Sequence, residues 1–345
     1  MHAVTASASH WTRLLRGPAL DEATINRRRW WTLAILNLSL FAIIMDNTIL
    51  NVALPSLAKD LHASGSDLQW IVDSYVLVFA GLLLSAGALG DRFGRRGALS
   101  AGLVVFAAGS VFAMHVDSAS MLIAARAVMG VGGALIMPAT LSILTNVFTD
   151  PKERAKAIGV WAGSVGLAVA IGPIVGGLLL ERFWWGSVFL INVPILLAGL
   201  IAASILVPES HSRKAGRVDV VGVALSIVGL VALVYGIIEG GENGEWGQIG
   251  VWGPILAGAV VLAAFIRYER HTAFPALDVG LFRDPRFSAA VAVVGLVFFA
   301  AMGTYFFGAF YLQLARDFSA FEAGLLMLPF AAAQLVFAPL SATLV

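Results

Sequence analysis

Gly87-Ala88-Leu89-Gly90-Asp91-Arg92-Phe93-Gly94-Arg95-Arg96-Gly97 crowds four charges and four glycines into eleven positions. On either side the chain turns apolar, over residues 69–89 and 98–116. Each flank is close to the roughly 20 apolar residues that a helix needs to cross a bilayer. The stretch therefore reads as a charged turn between two membrane helices. Glycines permit a tight turn where two helices approach. Asp91 can accept hydrogen bonds or meet the positive end of a neighbouring helix. Arg95 and Arg96 sit where anionic lipid or a helix C-terminus attracts cations. An ordinary basic turn needs neither the acid nor the glycines at these offsets, which gives Gly87, Asp91, Arg92, Gly94, Arg95 and Arg96 a predicted role in conformational gating.

The same reading extends along the whole chain. Of its 345 residues 59% are hydrophobic and only 12% charged, about half the charge of a soluble protein. A water-facing surface cannot be assembled from that, which excludes a soluble enzyme, a disordered tail protein and a nucleic-acid binder. Ten spans are expected, at residues 31–53, 69–89, 98–116, 120–144, 157–180, 187–207, 220–238, 251–266, 287–311 and 323–345. The fold class is all-α, a polytopic membrane bundle. With the N-terminus cytoplasmic, 18 of the 22 Lys and Arg fall in inside segments, three outside and one, Arg126, within a span. That asymmetry is the positive-inside rule. The first span lacks the cleavage pattern of a signal peptide. No cysteine is present, so disulfides and thiolate metal sites are excluded. The six His lack metal spacing, no phosphate-binding loop suggests ATP hydrolysis, and no metal or cofactor is expected.

The spans group into units. Residues 1–30 form a polar, Arg-rich cytoplasmic tail and residues 31–207 a six-helix bundle. Residues 208–219 read as a linker, 220–266 as an extra helical pair, 267–286 as a cytoplasmic loop and 287–345 as the opening of a second bundle. Leu57-Ala58-Lys59-Asp60-Leu61 is echoed by Leu314-Ala315-Arg316-Asp317-Phe318, as an internal repeat would produce. The chain stops at Val345 still apolar, which suggests an early end to the second bundle.

Charges in hydrocarbon cost about 2.5–3.5 kcal/mol each, so the few present need a reason. Asp46 lies two-thirds along the first span, Asp73 near the outer end of the second and Arg126 in the fourth. A buried acid whose access alternates can take up and release a proton, and Asp46 reads as a proton site or a counter-charge for a cation. The competing reading makes it a structural partner of Arg126 or of its Asn and Thr neighbours. In the fifth span, Gly159, Gly163 and Gly166 precede Gly172-Pro173-Ile174-Val175-Gly176-Gly177. Small residues four apart let helices pack closely and an internal proline kinks one, so Gly172, Pro173, Gly176 and Gly177 are expected to form a hinge and seal. Gly130, Gly132 and Gly133 repeat the small-residue theme in the fourth span. Trp184 and Trp185 at a span end read as an interfacial belt.

With these residues the chain resembles a major facilitator superfamily transporter, and more narrowly the fourteen-helix drug:proton antiporters of the multidrug efflux type. The loop over residues 87–97 is similar to the superfamily signature between helices two and three. Met45-Asp46-Asn47-Thr48-Ile49-Leu50-Asn51-Val52-Ala53-Leu54-Pro55 is similar to the first-helix pattern of that group. Arg126 with Gly130 resembles the fourth-helix motif tied to proton transfer, and residues 172–177 the fifth-helix antiporter motif. Phe189-Leu190-Ile191-Asn192-Val193-Pro194, and Ala323-Gly324-Leu325 with Pro329, also look typical. The resemblance implies two six-helix bundles rocking about a central site, with the extra pair between them. It implies export of lipophilic, often cationic drugs in exchange for protons across a bacterial inner membrane, and four more helices than the ten read here. The partners implied are the lipid bilayer, protons and a small lipophilic substrate. Arg126 would lower the proton affinity of Asp46 in one state only. Two alternatives stay open on the sequence: a same-fold exporter of a metabolite, lipid or siderophore, and a truncated membrane protein that does not transport.

Overall fold

The computed structural model describes residues 22–211, 219–244, 246–272, 275, 277–330 and 332–333. Among these there are helices and no strands. The first helix, α1 (Glu22–Asp60), is longer than the apolar run 31–53. The basic segment before Trp30 is rich in good helix formers and extends the helix out of the apolar zone. Helices α2 (Gly65–Phe93) and α3 (Arg95–Ala113) follow. The turn expected over 87–97 shrinks to Gly94 alone, which correctly sits between two helices but leaves Gly87 and Asp91 inside α2. Gly94 has φ 121° and ψ 127°, a conformation that L side chains avoid. Near a membrane a helix satisfies its own backbone donors, so both flanks continue to the last possible residue.

Next come α4 (Ala119–Val147) and α5 (Pro151–Arg182), the latter capped by Asp150 and running through Pro173. The sixth span is broken into α6 (Ser187–Leu190) and α7 (Asn192–Leu206). Pro194 supplies no N–H to the preceding turn, which accounts for the interruption at Ile191. The extra pair is α8 (Val220–Asn243) and α9 (Ile249–Glu269). A short 3-10 turn, Val279–Arg283, leads to α10 (Pro285–Phe310), which ends in a π-turn at Tyr311–Ala315. Helix α11 (Ala320–Leu326) is the last element. Nine helices among the described residues are long and apolar enough to cross a membrane. The tenth expected span is an apolar helix over Ala320–Phe330; almost all of its remainder, like residues 1–21 of the tail and 212–218 of the linker, lies outside the described residues.

Lipid tails are as apolar as Leu, so helices here associate through close backbone approach. Helix α4 is gripped on two sides. A Cβ on Gly130 would stand 2.7 Å from the Tyr75 carbonyl of α2, and one on Gly132 2.7 Å from the Phe106 nitrogen of α3. Gly172 and Gly176 press α5 onto α1 at Thr48 and Ile49. The expectation fails at Gly159 and Gly163, where a Cβ would meet nothing within 4 Å. Their face of α5 is open, although the neighbouring Ala157 is buried and Trp161 donates to Thr140 of α4, so spacing alone overstated their packing. Helices α8 and α9 form a pair closed at Gly229, Gly236 and Gly258, and α8 leans on α2 through Ile227 at Gly81 and Tyr235 against Trp70.

Helix α10 is bare over residues 289–300, with Leu296, Phe298 and Phe299 all more than 60% exposed. Its far half is different: Ala301, Tyr305 and Ala309 are buried. Contacts from α10 and α11 to the first six spans gather at the end of the molecule opposite Gly94. There Gln313 of the π-turn donates to the Val52 carbonyl of α1 at 3.0 Å. The echo between residues 57–61 and 314–318 has a structural counterpart. Each is followed by a residue with positive φ, or contains one (His62 at 49°, Asp317 at 55°). Each also precedes a helix opened by a capping box, Ser64 with Asp67 and Ser319 with Glu322.

Candidate functional site

Four elements converge on Asp46. Helix α1 presents it beside Asn47, and α4 brings Arg126, whose Nη1 donates to Asp46 Oδ2 at 2.5 Å. Arg126 Nη2 donates to Asn47 Oδ1 at 3.0 Å, and its Nε to the Ile71 carbonyl of α2 at 3.2 Å. The guanidinium also lies over the Tyr75 ring, 4.4 Å from its centroid, a contact on the order of 2 kcal/mol when desolvated. From α7, Asn192 Nδ2 donates to Asp46 Oδ1 at 2.6 Å. Asp46, Arg126 and Asn192 are all at most 2% exposed. The carboxylate is thus shared by a cation on one oxygen and an amide on the other. The two charges offset each other, and further hydrogen bonds satisfy the guanidinium, the condition under which a buried pair is tolerated.

Local sequence explains the presentation. Thr48 Oγ1 turns back to the Met45 carbonyl and Asn47 Nδ2 to the Ile43 carbonyl, both at 2.9 Å. These side chains spend their hydrogen bonds on α1 itself, which suits a polar turn in an apolar setting. Gly172 opens the space that Thr48 occupies.

Of the three intramembrane charges predicted, the structure joins two. Asp73 is only half buried, and among the described residues no hydrogen bond or ion pair connects it to Asp46 or Arg126. Asn47 entered the sequence reading only as a structural neighbour of Asp46, and the partners Asn192 and Tyr75 carried no predicted role. A polar Asn in the otherwise apolar run 187–207 was the available signal.

The turn at Gly94 forms a second cluster. Arg95 Nε donates to Asp91 at 2.7 Å and its Nη1 to the Ser142 carbonyl of α4 at 3.2 Å. Arg92 lies exposed over the Phe93 ring. Glu209, just beyond α7, was not predicted, and it accepts from the backbone N–H of Arg96 at 3.1 Å and of Gly97 at 3.2 Å. No side chain of α3 itself caps its start, so Glu209 does that work from 113 residues away. Losing an N-cap costs about 0.5–2 kcal/mol. Glu209→Ala should lower thermal stability by that order and speed hydrogen exchange at the Arg96 and Gly97 amides, with exchange elsewhere unchanged.

The fifth-span motif makes a third contact. Gly172 and Gly176 face α1, whereas Gly177 and Pro173 face α11. A Cβ on Gly177 would stand 2.5 Å from Phe321 Cα and 2.6 Å from the Ala320 carbonyl. Gly324 returns the contact at the Pro173 carbonyl. Among the described residues no three His, Asp or Glu gather in a way that could hold a metal.

Known proteins resemble the chain in sequence and in fold. Over 309 residues the chain is 41% identical to the multidrug efflux pump LfrA of Mycolicibacterium smegmatis, covering 90% of this chain and 61% of that protein. It is 37% identical to the methyl viologen resistance protein SmvA of Salmonella typhimurium, covering 92% and 64%. It is 36% identical to a tetracenomycin C resistance and export protein of Streptomyces glaucescens, covering 91% and 58%. The chain therefore spans less than two thirds of the length of these relatives. Among solved structures, the peptide transporter POT in complex with sulfate has the same fold. Its TM-score is 0.59 at 16% identity, over 94% of this chain and 72% of that one. The Major Facilitator Superfamily model matches residues 36–345. Together with the apolar helices, this makes the chain a multi-pass membrane protein of a transporter family rather than an enzyme: it belongs to the Major Facilitator Superfamily.

Proposed function

We propose that the protein exports lipophilic, often cationic drugs in exchange for protons entering from outside, with Asp46 as the coupling carboxylate. The observation that carries this reading is the fully buried Asp46–Arg126 pair, seated between α1 and α4 with Asn192 on its free oxygen. The relatives named as drug pumps and resistance proteins support the substrate class.

In the proposed cycle the face carrying Gly94 and the basic segments is cytoplasmic, in a bacterial inner membrane. The contacts at Gln313, Gly177 and Gly324 then close the outer side. In this state Arg126 and Asn192 hold the two carboxyl oxygens of Asp46. When the outer side opens, a proton from external water adds to Asp46 and the attraction of Arg126 for it falls. The carrier turns inward, the proton leaves and Arg126 re-forms the pair as a cationic drug arrives. At 100 mV each net charge moved contributes about 2.3 kcal/mol, so proton entry can drive export. Asp73, half buried on α2, is proposed as an auxiliary acid near the outer entrance. The loop at Gly94 gates the cytoplasmic side.

Reconstituting the full chain in proteoliposomes and recording drug-dependent proton uptake tests the reading. Asp46→Asn should abolish coupled export of a cationic dye while leaving dye binding measurable. Export by that variant at the parent's rate would remove Asp46 from the coupling role.

A further inference from the structure

Asn192 enters the site with only half of its amide engaged. Its Nδ2 donates to Asp46 Oδ1 at 2.6 Å. Its Oδ1 is buried and accepts no hydrogen bond. The side chain is 0% exposed. The orientation of the amide follows from chemistry: an ionised carboxylate only accepts, so the nitrogen must face it. A buried acceptor left unmade is destabilising, and one is left here against the group that the proposed cycle protonates.

Protonation reverses the demand. The acid presents an O–H donor where the carboxylate accepted. An amide turned by about 180° at its last torsion offers Oδ1 in place of Nδ2, since oxygen and nitrogen are nearly isosteric. Turning breaks no bond on the oxygen side, because none exists. The proton comes from water and ends on Asp46 Oδ1. The weakened Arg126 contact remains at Oδ2, on the other side of the carboxyl group. The break between α6 and α7 places Asn192 at the very start of a helix, with Pro194 two residues on. It is therefore positioned by a fixed turn and not by a flexible loop. The charged and titratable groups facing the carboxyl group among the described residues are Arg126 from α4 and Tyr75 from α2. Helix α5 presents the Ala168 carbonyl to the neighbouring Thr48, and α7 presents only this amide. Among the described residues no other partner on Asp46 can both donate and accept by turning.

We propose that Asn192 is a positioning residue that reads the protonation state of Asp46, donating to the carboxylate and accepting from the acid. The inference rests on Asp46 being the proton site, and the test separates the two. Infrared difference spectra of the reconstituted full chain between acid and alkaline pH report the carboxyl C=O stretch of a protonated side chain, and Asp46→Asn identifies the band. In Asn192→Leu that band should move to higher frequency, as for an acid with no acceptor. In Asn192→Ser, which keeps a hydroxyl able to donate and accept, it should return toward the parent position. Should the leucine variant fail to fold, the parent labelled with 13C-asparagine serves instead. Its side-chain amide carbonyl band should shift to lower frequency with the appearance of the acid band, and that shift should vanish in Asn192→Ser. A band that stays in place in Asn192→Leu, or a labelled amide that does not respond to pH, overturns the role of Asn192 while Asp46 stands. Acid bands unchanged by Asp46→Asn overturn the proton site itself, and the inference with it.

Discussion

Arg126→Met is expected to lower the stability of the helical bundle by about 3–5 kcal/mol, the loss seen when one partner of a buried ion pair is removed. Arg126 meets Asp46, the Asn47 side chain, the Ile71 carbonyl and the Tyr75 ring at once. Methionine keeps an apolar stem but has neither the charge nor the N–H donors that make these contacts. An acid at most 2% exposed would then keep only the Asn192 amide. Adding Asp46→Asn to the same chain removes the stranded charge and should recover most of the loss. Thermal unfolding in detergent of the parent, both single variants and the double variant completes the cycle. A double variant no more stable than Arg126→Met alone would mean that Arg126 acts through packing rather than through the charge of Asp46.

Gly324→Val is expected to open the side of the molecule opposite Gly94. Even a methyl group at this position would run into the Pro173 carbonyl, and at Gly177 it would run into Phe321 Cα. Both obstacles are backbone, so neither can swing away as a side chain would. The helices α5 and α11 must separate, which moves the balance toward the other conformation instead of creating a new one. The parent has no cysteine, so an introduced thiol reports without background. Asn51→Cys, on α1 and 8% exposed, should label at least tenfold faster with a water-soluble reagent when Gly324→Val is added. Gly159→Val and Gly163→Val serve as controls, since nothing lies within 4 Å of either, and they should leave the labelling rate unchanged. Equal rates in all backgrounds would mean that α5 and α11 do not form the seal.

Much of this was legible in the sequence, because the bilayer imposes a length and a polarity on every helix. Nine of the ten expected spans fell where the apolar runs are, and the scarcity of intramembrane charge singled out Asp46 and Arg126 before any contact was known. Their pairing needed the fold. Asp46 and Arg126 are 80 residues apart, and Asn192 is 146 from Asp46. Nothing local in α7 says that its one amide faces α1. The same holds for Glu209, an acid in a stretch read as a linker. Its capping of α3 depends on where α7 ends in space. The glycines mark another limit. Period and size are the same at Gly159 and Gly163 as at Gly172 and Gly176, yet only the second pair has a helix against it. Spacing tells which residues share a face, and the neighbour decides whether that face is used. The turn at Gly94 was placed correctly but drawn too long, since the glycines and charges of 87–93 are compatible with a helix that has no other way to satisfy its backbone.

A hairpin joined by the single residue Gly94 has no slack. When α2 tilts, α3 must tilt with it, and the carboxylate of Glu209 drags the foot of α7 along the same path. Three of the six spans are thus fastened to one another at a single point, and a displacement of any one of the three is expected to be passed to the other two.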